Sequence, residues 1–539
     1  MTTTPPINIE TASAISSSSA SPTSPASRKS TSPKSPRLLR NAISASFSPT
    51  KSPAPQSVSD HALKAFNALN LSLNNYTPIE QIPGIVALCR RTFETNTTLN
   101  IEWRVAQLSA LVLMLKESEE LVQAACYLDN RKNVFTSTLF EWGPTLKEAE
   151  HCLRHVRKWT QPKTKNVPLP VQPATCKVQP MPKGVVLVKA PWNYPFSLTF
   201  GPMASAIAAG NCVVLKPSEL APHATALMKH LVAKYLDQNC IRLVDGDAAI
   251  ATALLREKFD HICFTGSETV GKIVARAAAE YLTPTTLELG GKSPAVIDKT
   301  ANIQTAARRI AFGKWANVGQ TCISPDFVLI ESSVKDRFLE ELVKVITQFY
   351  GTDTATNPDY ERIQNLRHFQ RLRAMMNDGS IYYGGKTNEE DLYIEPTLIV
   401  DVAPDSKILT EEIFGPLLYI VEIPSMTDAI KYIRQRPRPL ALYLFTDDPN
   451  VKTDFTNLTW SGALSINDTL LHFANNDLPF GGIGNSGYGS LHGEYGFDTF
   501  SFYKPVMDRN SAMFLDISIR YPPYSSEKMA WARFLNEHM

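Results

Sequence analysis

From residue 185 onward the chain alternates short, unbroken apolar runs with helix-length amphipathic segments, and this rhythm restricts the fold more than any other feature. Residues 185–188, 213–215, 241–244 and 261–264 lack the every-second-residue polarity of a half-exposed strand. They read as parallel strands buried on both faces. Residues 224–235 and 268–279 lie between them with helical spacing, as the crossover helices of a doubly wound sheet. The alternation restarts after Glu288, with strands expected at 295–297 and 327–330 and helices at 303–315 and 335–349. A second α/β unit follows, and 539 residues exceed what one core usually organises.

Ahead of the first strand, residues 60–159 carry apolar residues at three- and four-residue spacing, notably over 101–115 and 146–156. A Pro-rich stretch follows over 162–182. The uncharged run 191–215 has the length of a membrane span, but Pro195, Gly201, Pro202, Gly210 and Asn211 interrupt it, and a buried helix and strand explain it better. Residues 462–504 are rich in Gly, Asn, aromatics and Asp, so loop and edge strand are expected there. Residues 1–58 are Ser/Thr/Pro-rich and basic, which predicts a disordered tail, and its Ser-Pro steps are candidate phosphorylation sites. A transit peptide is the other reading of this tail.

A formal charge of +2 without a basic stripe argues against nucleic-acid binding. The eight cysteines are scattered, with no CxxC or Cys/His cluster, so neither a disulfide framework nor a metal site is indicated. A reducing compartment fits them best, and no secretory leader opens the chain.

Two runs carry candidate chemistry: Thr286-Leu-Glu288-Leu-Gly-Gly-Lys-Ser-Pro294 and Gly319-Gln-Thr-Cys322. The first offers a carboxylate on backbone that turns freely at two glycines, the second an isolated thiol. Convergence of the two in a cleft is what a nucleophile and its base require. Phe264-Thr-Gly266-Ser267 opens a helix in which Gly271 completes a Gly-x-x-x-x-Gly pattern. Either a dinucleotide pyrophosphate at the helix N-terminus or a tight strand-to-helix turn accounts for it. Gly482-Ile-Gly-Asn-Ser-Gly487 matches the dinucleotide fingerprint literally, yet Pro479 before it and Gly489 after it exclude the strand-turn-helix context, leaving a loop near the active site. Lys216 and Glu219 follow a strand end, where open α/β sheets bind ligands, and suit ribose hydroxyls. A surface ion pair is the alternative. Asn193, amid Trp192, Tyr194 and Phe196, is either a satisfied buried amide or an oxyanion donor.

Taken with Glu412-Ile-Phe414-Gly-Pro416 and Pro479-Phe-Gly-Gly, the order and spacing of these motifs resemble the aldehyde dehydrogenase superfamily. Tyr194 after Asn193, residues 362–369, the run from Asn485 through Ser501 and Arg520-Tyr-Pro-Pro-Tyr524 resemble its class 3 branch, which contains the fatty aldehyde dehydrogenases. The resemblance covers residues 60–535.

It implies a doubly wound dinucleotide-binding domain (60–161 and 179–287), an α/β catalytic domain (288–461), a small β oligomerisation element (162–178 and 462–505) and a C-terminal segment (506–539) over the substrate entrance. It implies NAD(P)-dependent oxidation of an aldehyde, with Cys322 as nucleophile, Glu288 as general base and Asn193 as oxyanion donor. Lys216 and Glu219 would meet the adenosine ribose, Gly266, Ser267 and Gly271 the pyrophosphate, and Glu412 and Phe414 the nicotinamide riboside. Glu219 opposes a 2′-phosphate, so NAD is expected, with NADP open because class 3 relatives often accept both. Tyr194, Thr321 and His472 are expected along a tunnel for a medium- or long-chain apolar aldehyde, a fatty aldehyde or an apocarotenal. A homodimer in the cytoplasm is implied. The hydrophobic anchor common in fatty aldehyde relatives is not matched here, so a transmembrane anchor is not expected. Peripheral membrane contact through 513–519 or 529–535 stays open. A cysteine esterase and a non-catalytic binding protein on the same fold are the competing readings.

Overall fold

The computed structural model describes residues 58–512 and 518–537. The expected tail, up to residue 57, and most of the apolar patch at 513–519 lie outside the described residues.

Helices α1 (Asp60–Ala68), α2 (Ile82–Glu94), α3 (Ile101–Glu117) and α4 (Glu119–Asn130) lead to a helical turn at Val134–Ser137. That turn passes through a π-helical turn, Thr138–Trp142, into α5 (Gly143–Trp159). Next come β1 (Lys163–Lys165), β2 (Ala174–Pro182), β3 (Val185–Lys189), α6 (Pro195–Ala209), β4 (Cys212–Lys216), α7 (Pro222–Tyr235) and β5 (Ile241–Leu243). Helix α8 (Ala248–Leu255), β6 (His261–Thr265), α9 (Glu268–Ala279) and β7 (Thr285–Glu288) complete the first half.

The second half runs β8 (Pro294–Ile297), α10 (Ile303–Trp315), β9 (Phe327–Glu331), α11 (Lys335–Tyr350), α12 (Leu366–Met375), β10 (Ser380–Tyr383) and β11 (Thr397–Val400). It continues through β12 (Leu417–Ile423), α13 (Met426–Arg434), β13 (Ala441–Phe445), α14 (Pro449–Leu458) and β14 (Ala463–Ile466). The chain then forms β15 (Gly487–Tyr488), α15 (Gly493–Thr499), β16 (Ser501–Arg509) and α16 (Ser526–Glu537).

The first sheet has the order β15-β7-β6-β3-β4-β5, parallel except for β15. Strands β4 and β6 are buried at every position, as continuous apolar runs between helical layers demand. The order reverses around β3, which has β4 on one side and β6 on the other. Ligands of such sheets bind at this crevice, beyond the carboxyl ends of the strands. The second sheet, β10-β11-β12-β9-β8-β13-β14, is parallel except for edge strand β10. A third, antiparallel sheet joins β1, β2 and β16.

Helix ends are set by side chains. Ser267 Oγ accepts from the Val270 N–H at 3.4 Å to start α9, and Asn302 Oδ1 accepts from the Thr305 N–H at 3.0 Å to start α10. The uncharged run resolves into α6 and β4, both almost wholly buried.

Residues 462–505 contribute to three sheets. Strand β14 extends the second sheet, β15 closes the first against Glu288, and only β16 enters the small sheet. Each short stretch satisfies its backbone on whichever edge is nearest. The β2/β16 ladder pairs residues 174–182 with 501–509, past both expected limits at 178 and 505. Helix α16 has no buried residue, and Met529 and Trp531 are exposed on it.

Candidate active site

Carboxyl ends of β3, β4, β6 and β7 deliver Asn193, Lys216, Gly266 and Glu288 to one rim of the first sheet. From the second sheet come the turns that precede its strands, with Cys322 ahead of β9 and Glu412 and Phe414 ahead of β12. A cavity of about 410 Å³ lies between them. Glu288, Tyr194, Thr321 and Cys322 all line it, and its wall is mainly apolar, with Phe135, Leu139, Phe140, Leu198, Phe473 and Leu491 among the contributors.

Glu288 is 2% exposed, and neither carboxylate oxygen has a hydrogen-bond partner. Burial pushes its carboxyl well above the ordinary range, which favours the neutral form over a buried anion. The Cys322 thiol is pushed up to about 12, first by burial and then by the negative charges of Glu412 and Glu288. A positive charge brought beside it would favour the thiolate.

The turn leading to Cys322 is unusual backbone. Asn317 and Val318 both have positive φ, 52° and 47°, a region costly for a β-branched residue. Buried side chains hold it there. Asn317 Nδ2 donates to the carbonyl oxygens of Asn193 at 3.2 Å and Gln320 at 3.1 Å, and Asn130 Nδ2 donates to Asn317 Oδ1 at 3.2 Å.

Asn193 is buried and, although Tyr194 next to it lines the cavity, is not itself among the cavity-lining residues. Its Nδ2 donates to the Gln320 carbonyl at 3.0 Å, which uses one of its two N–H groups. Its own carbonyl accepts from Lys132 Nζ at 2.8 Å. Lys132 and Glu141, which the sequence reading missed, form an ion pair at 2.8 Å with both side chains essentially out of water.

Glu412 lies against the glycine turn after Glu288. A Cβ on Gly290 would fall 2.2 Å and 2.4 Å from the two Glu412 carboxylate oxygens, so the glycine makes room for that side chain. Burial lifts the Glu412 carboxyl to about 8, with Asp326 adding to the rise. Arg371 holds this turn through the carbonyls of Glu412 at 3.1 Å and Ile413 at 2.6 Å, and Phe414 meets Trp192 edge-on at 5.4 Å.

On the cofactor side, Lys216 Nζ and Glu219 Oε2 lie 3.6 Å apart, with the lysine 2% exposed and the carboxylate accessible. A donor and an acceptor so paired at a strand end fit the hydroxyls of a ribose, and Gly266 with Ser267 opens α9 on the same rim. Gly271 lies one turn inside α9, where a Cβ would meet Leu289 Cδ2 at 2.7 Å, so the glycine lets the helix pack closely on the residue after β7.

His472 is not among the cavity-lining residues. It stacks on Phe480 at 6.3 Å and sits beside Tyr443 at 6.1 Å, while Leu470, Phe473 and His492 face the cavity. Lys147, Glu148 and Asn476 are among the polar lining residues that sequence motifs did not single out, and His492, stacked on Phe480 at 5.0 Å, also lines the cavity.

A doubly wound nucleotide-type sheet facing a second α/β sheet, with a thiol and an unpartnered carboxyl on one apolar cavity, defines a class of covalent-cysteine oxidoreductase. The chain belongs to the aldehyde dehydrogenase family, whose model matches residues 75–506. It is 44% identical over 437 residues to 4,4'-diaponeurosporen-aldehyde dehydrogenase of Staphylococcus aureus, covering 81% of this chain and 95% of that one. Identity to aldehyde dehydrogenase family 3 member A2 of Rattus norvegicus is 42% over 445 residues, covering 83% and 92%. Among solved structures, the substrate-bound state of Staphylococcus aureus AldH aligns with a TM-score of 0.82 at 42% identity, over 85% of this chain and 99% of that one. The chain is thus an oxidoreductase acting on the aldehyde group with NAD or NADP.

Proposed function

We propose that this enzyme oxidises medium- or long-chain apolar aldehydes through a covalent intermediate on Cys322. The observation that carries this reading is the largely apolar cavity of about 410 Å³ that holds both the Cys322 thiol and the unpartnered Glu288 carboxyl. The S. aureus relative is named for an extended apolar aldehyde, which favours the same substrate class.

Cys322 Sγ attacks the aldehyde carbon. The remaining side-chain N–H of Asn193 and the backbone N–H of Cys322 hold the oxyanion, a contribution worth about 10²- to 10³-fold per donor. When bound, the oxidised nicotinamide supplies positive charge and the acceptor for the hydride lost from that carbon. Glu288 then takes a proton from the water that hydrolyses the thioester on Cys322. Lys216 and Glu219 hold the adenosine ribose, Gly266 and Ser267 the pyrophosphate, and Glu412 with Phe414 the nicotinamide riboside. Glu219 favours NAD, since a 2′-phosphate beside it meets like charge.

A homodimer is the proposed assembly, supported by β14 and β16, each the terminal strand of its sheet among the described residues. Sedimentation giving only monomer at working concentration would remove it. Among the described residues no helix is long and apolar enough to cross a membrane, while the exposed Met529 and Trp531 on α16 suit contact with a membrane surface.

The test is reduced-nicotinamide absorbance from the purified chain with NAD and a series of aldehydes, beside Cys322→Ser. Cysteine-dependent kcat/KM rising with chain length is the expected result. A preference for short or charged aldehydes would overturn the substrate class, and activity in Cys322→Ser the mechanism.

A further inference from the structure

Lys132 does not line the cavity, and the chemistry proposed above makes no use of it. It stands on the link between α4 and the helical turn at Val134–Ser137, 1% exposed. Its ammonium donates to Glu141 Oε1 and to the Asn193 carbonyl, each at 2.8 Å, and lies 4.5 Å from the Tyr194 ring centroid. The other oxygen of Glu141 accepts from the backbone N–H groups of Phe196 and Ser197, each at 3.2 Å, in the first turn of α6. The pair therefore grips the oxyanion segment at residues 193, 196 and 197.

An ion pair so removed from water gives up hydration comparable to its mutual attraction, and apolar replacements of similar volume are often no less stable. Its distinctive property is direction. A fixed ammonium specifies where a carbonyl must lie. We propose that Lys132, set by Glu141, is a positioning residue for aldehyde oxidation: it anchors the Asn193 carbonyl and so aims the free N–H of the Asn193 side chain at the substrate oxygen. This rests on Asn193 being the oxyanion donor. Asn317, bonded to the same carbonyl, extends the anchor to the turn that carries Cys322. Without Lys132, the Asn193 carbonyl keeps only the longer 3.2 Å bond from Asn317, and a misplacement of about 1 Å can cost on the order of 10²-fold in rate.

The test compares kcat for the full-length enzyme, Asn193→Ala, Lys132→Met and the double variant, with NADH affinity and thermal midpoints measured on each. Asn193→Ala should lower kcat by about 10²- to 10³-fold. Lys132→Met should lower it by about 10- to 100-fold, with aldehyde KM and NADH affinity unchanged, and should have no further effect on kcat once Asn193 is gone. Thermal midpoints, by contrast, should fall in the Lys132 variant in either background. A purely structural lysine predicts multiplicative losses in kcat, and that result overturns the inference alone, as does a wild-type kcat in Lys132→Met. Full activity in Asn193→Ala overturns the oxyanion assignment and the inference with it. Because Lys132→Met leaves Glu141 buried and uncompensated, Lys132→Met/Glu141→Leu, which removes both charges, carries the same comparison if the single variant does not fold.

Discussion

The Tyr194 hydroxyl and Thr321 Oγ1 lie 2.6 Å apart, so the residue after Asn193 is bonded to the residue before Cys322. One short contact registers the oxyanion segment of the first sheet against the nucleophile turn of the second.

Removing half of it should cost stability. Both side chains are buried and have no other hydrogen-bond partner among the described residues. Tyr194→Phe strands the Thr321 hydroxyl, at a cost of about 1–3 kcal/mol. Tyr194→Phe/Thr321→Val should lose less than the sum of the single changes, because neither polar group is then left behind. Urea midpoints on the three variants check this, and additive losses would count against it.

Glu288→Gln should separate the two halves of the reaction. The first turnover, with its burst of reduced cofactor, should persist, while steady-state turnover falls by about 10²- to 10⁴-fold for want of the base. Stability should move the other way. Burial raises the folded-state carboxyl above the value of about 4.3 expected in an unfolded chain, so wild-type stability falls as pH rises from about 4 toward that raised value. Glu288→Gln lacks this loss, and its advantage in thermal midpoint should widen with pH across that window.

The neighbours of Cys322 predict an alkylation profile. With its thiol at about 12, the cofactor-free enzyme should react slowly with iodoacetamide at neutral pH and faster as pH climbs. Glu412 contributes to the high value only when ionised, and its own carboxyl sits at about 8. Glu412→Gln should therefore accelerate alkylation above pH 8 and leave it unchanged below. Acceleration confined to acidic pH would contradict this electrostatic account.

Gly290→Ala should separate folding from function. Its new methyl group would meet the end of the Glu412 side chain, which can swing aside, rather than fixed backbone. Thermal midpoint should change by less than about 1 kcal/mol equivalent, within the range of well-tolerated substitutions. Affinity for NAD should fall, by loss of the Glu412 position. Fluorescence titration with NADH reads the second effect independently of turnover.

How much of this was legible follows from where the physical information lies. Glu268–Ala279 and Ile303–Trp315 appear at the expected limits because each begins on a capping side chain, Ser267 or Asn302, and carries a helical apolar period. The positions of Glu288 and Cys322 were readable because each sits in a short run of distinctive residue types. Lys132 and Glu141 were not. Their meaning depends on a carbonyl 61 residues away from the lysine, and a lysine in a helical region looks like any solvated cation until its burial is known. His472 stands outside the cavity lining while Leu470 and Phe473 are in it, and sequence spacing alone does not tell which residues of a short helix will line a cavity. For residues 462–505, composition marks loop and strand without saying which of three sheets each piece will join.

The dinucleotide-like run Gly482-Ile-Gly-Asn-Ser-Gly487 ends as a neighbour of the base: Gly487 pairs with Glu288, and the Leu289 N–H donates to the Ser486 carbonyl at 3.0 Å. During synthesis on the ribosome, β7 thus waits with its outer edge unpaired until some two hundred further residues have been added, and Phe480, Leu491 and His492 of the cavity wall emerge with the same late segment. A nascent chain cut short before residue 487 therefore holds Cys322 and Glu288 without the strand that pairs with Glu288 and without the Leu491 and His492 of the cavity wall.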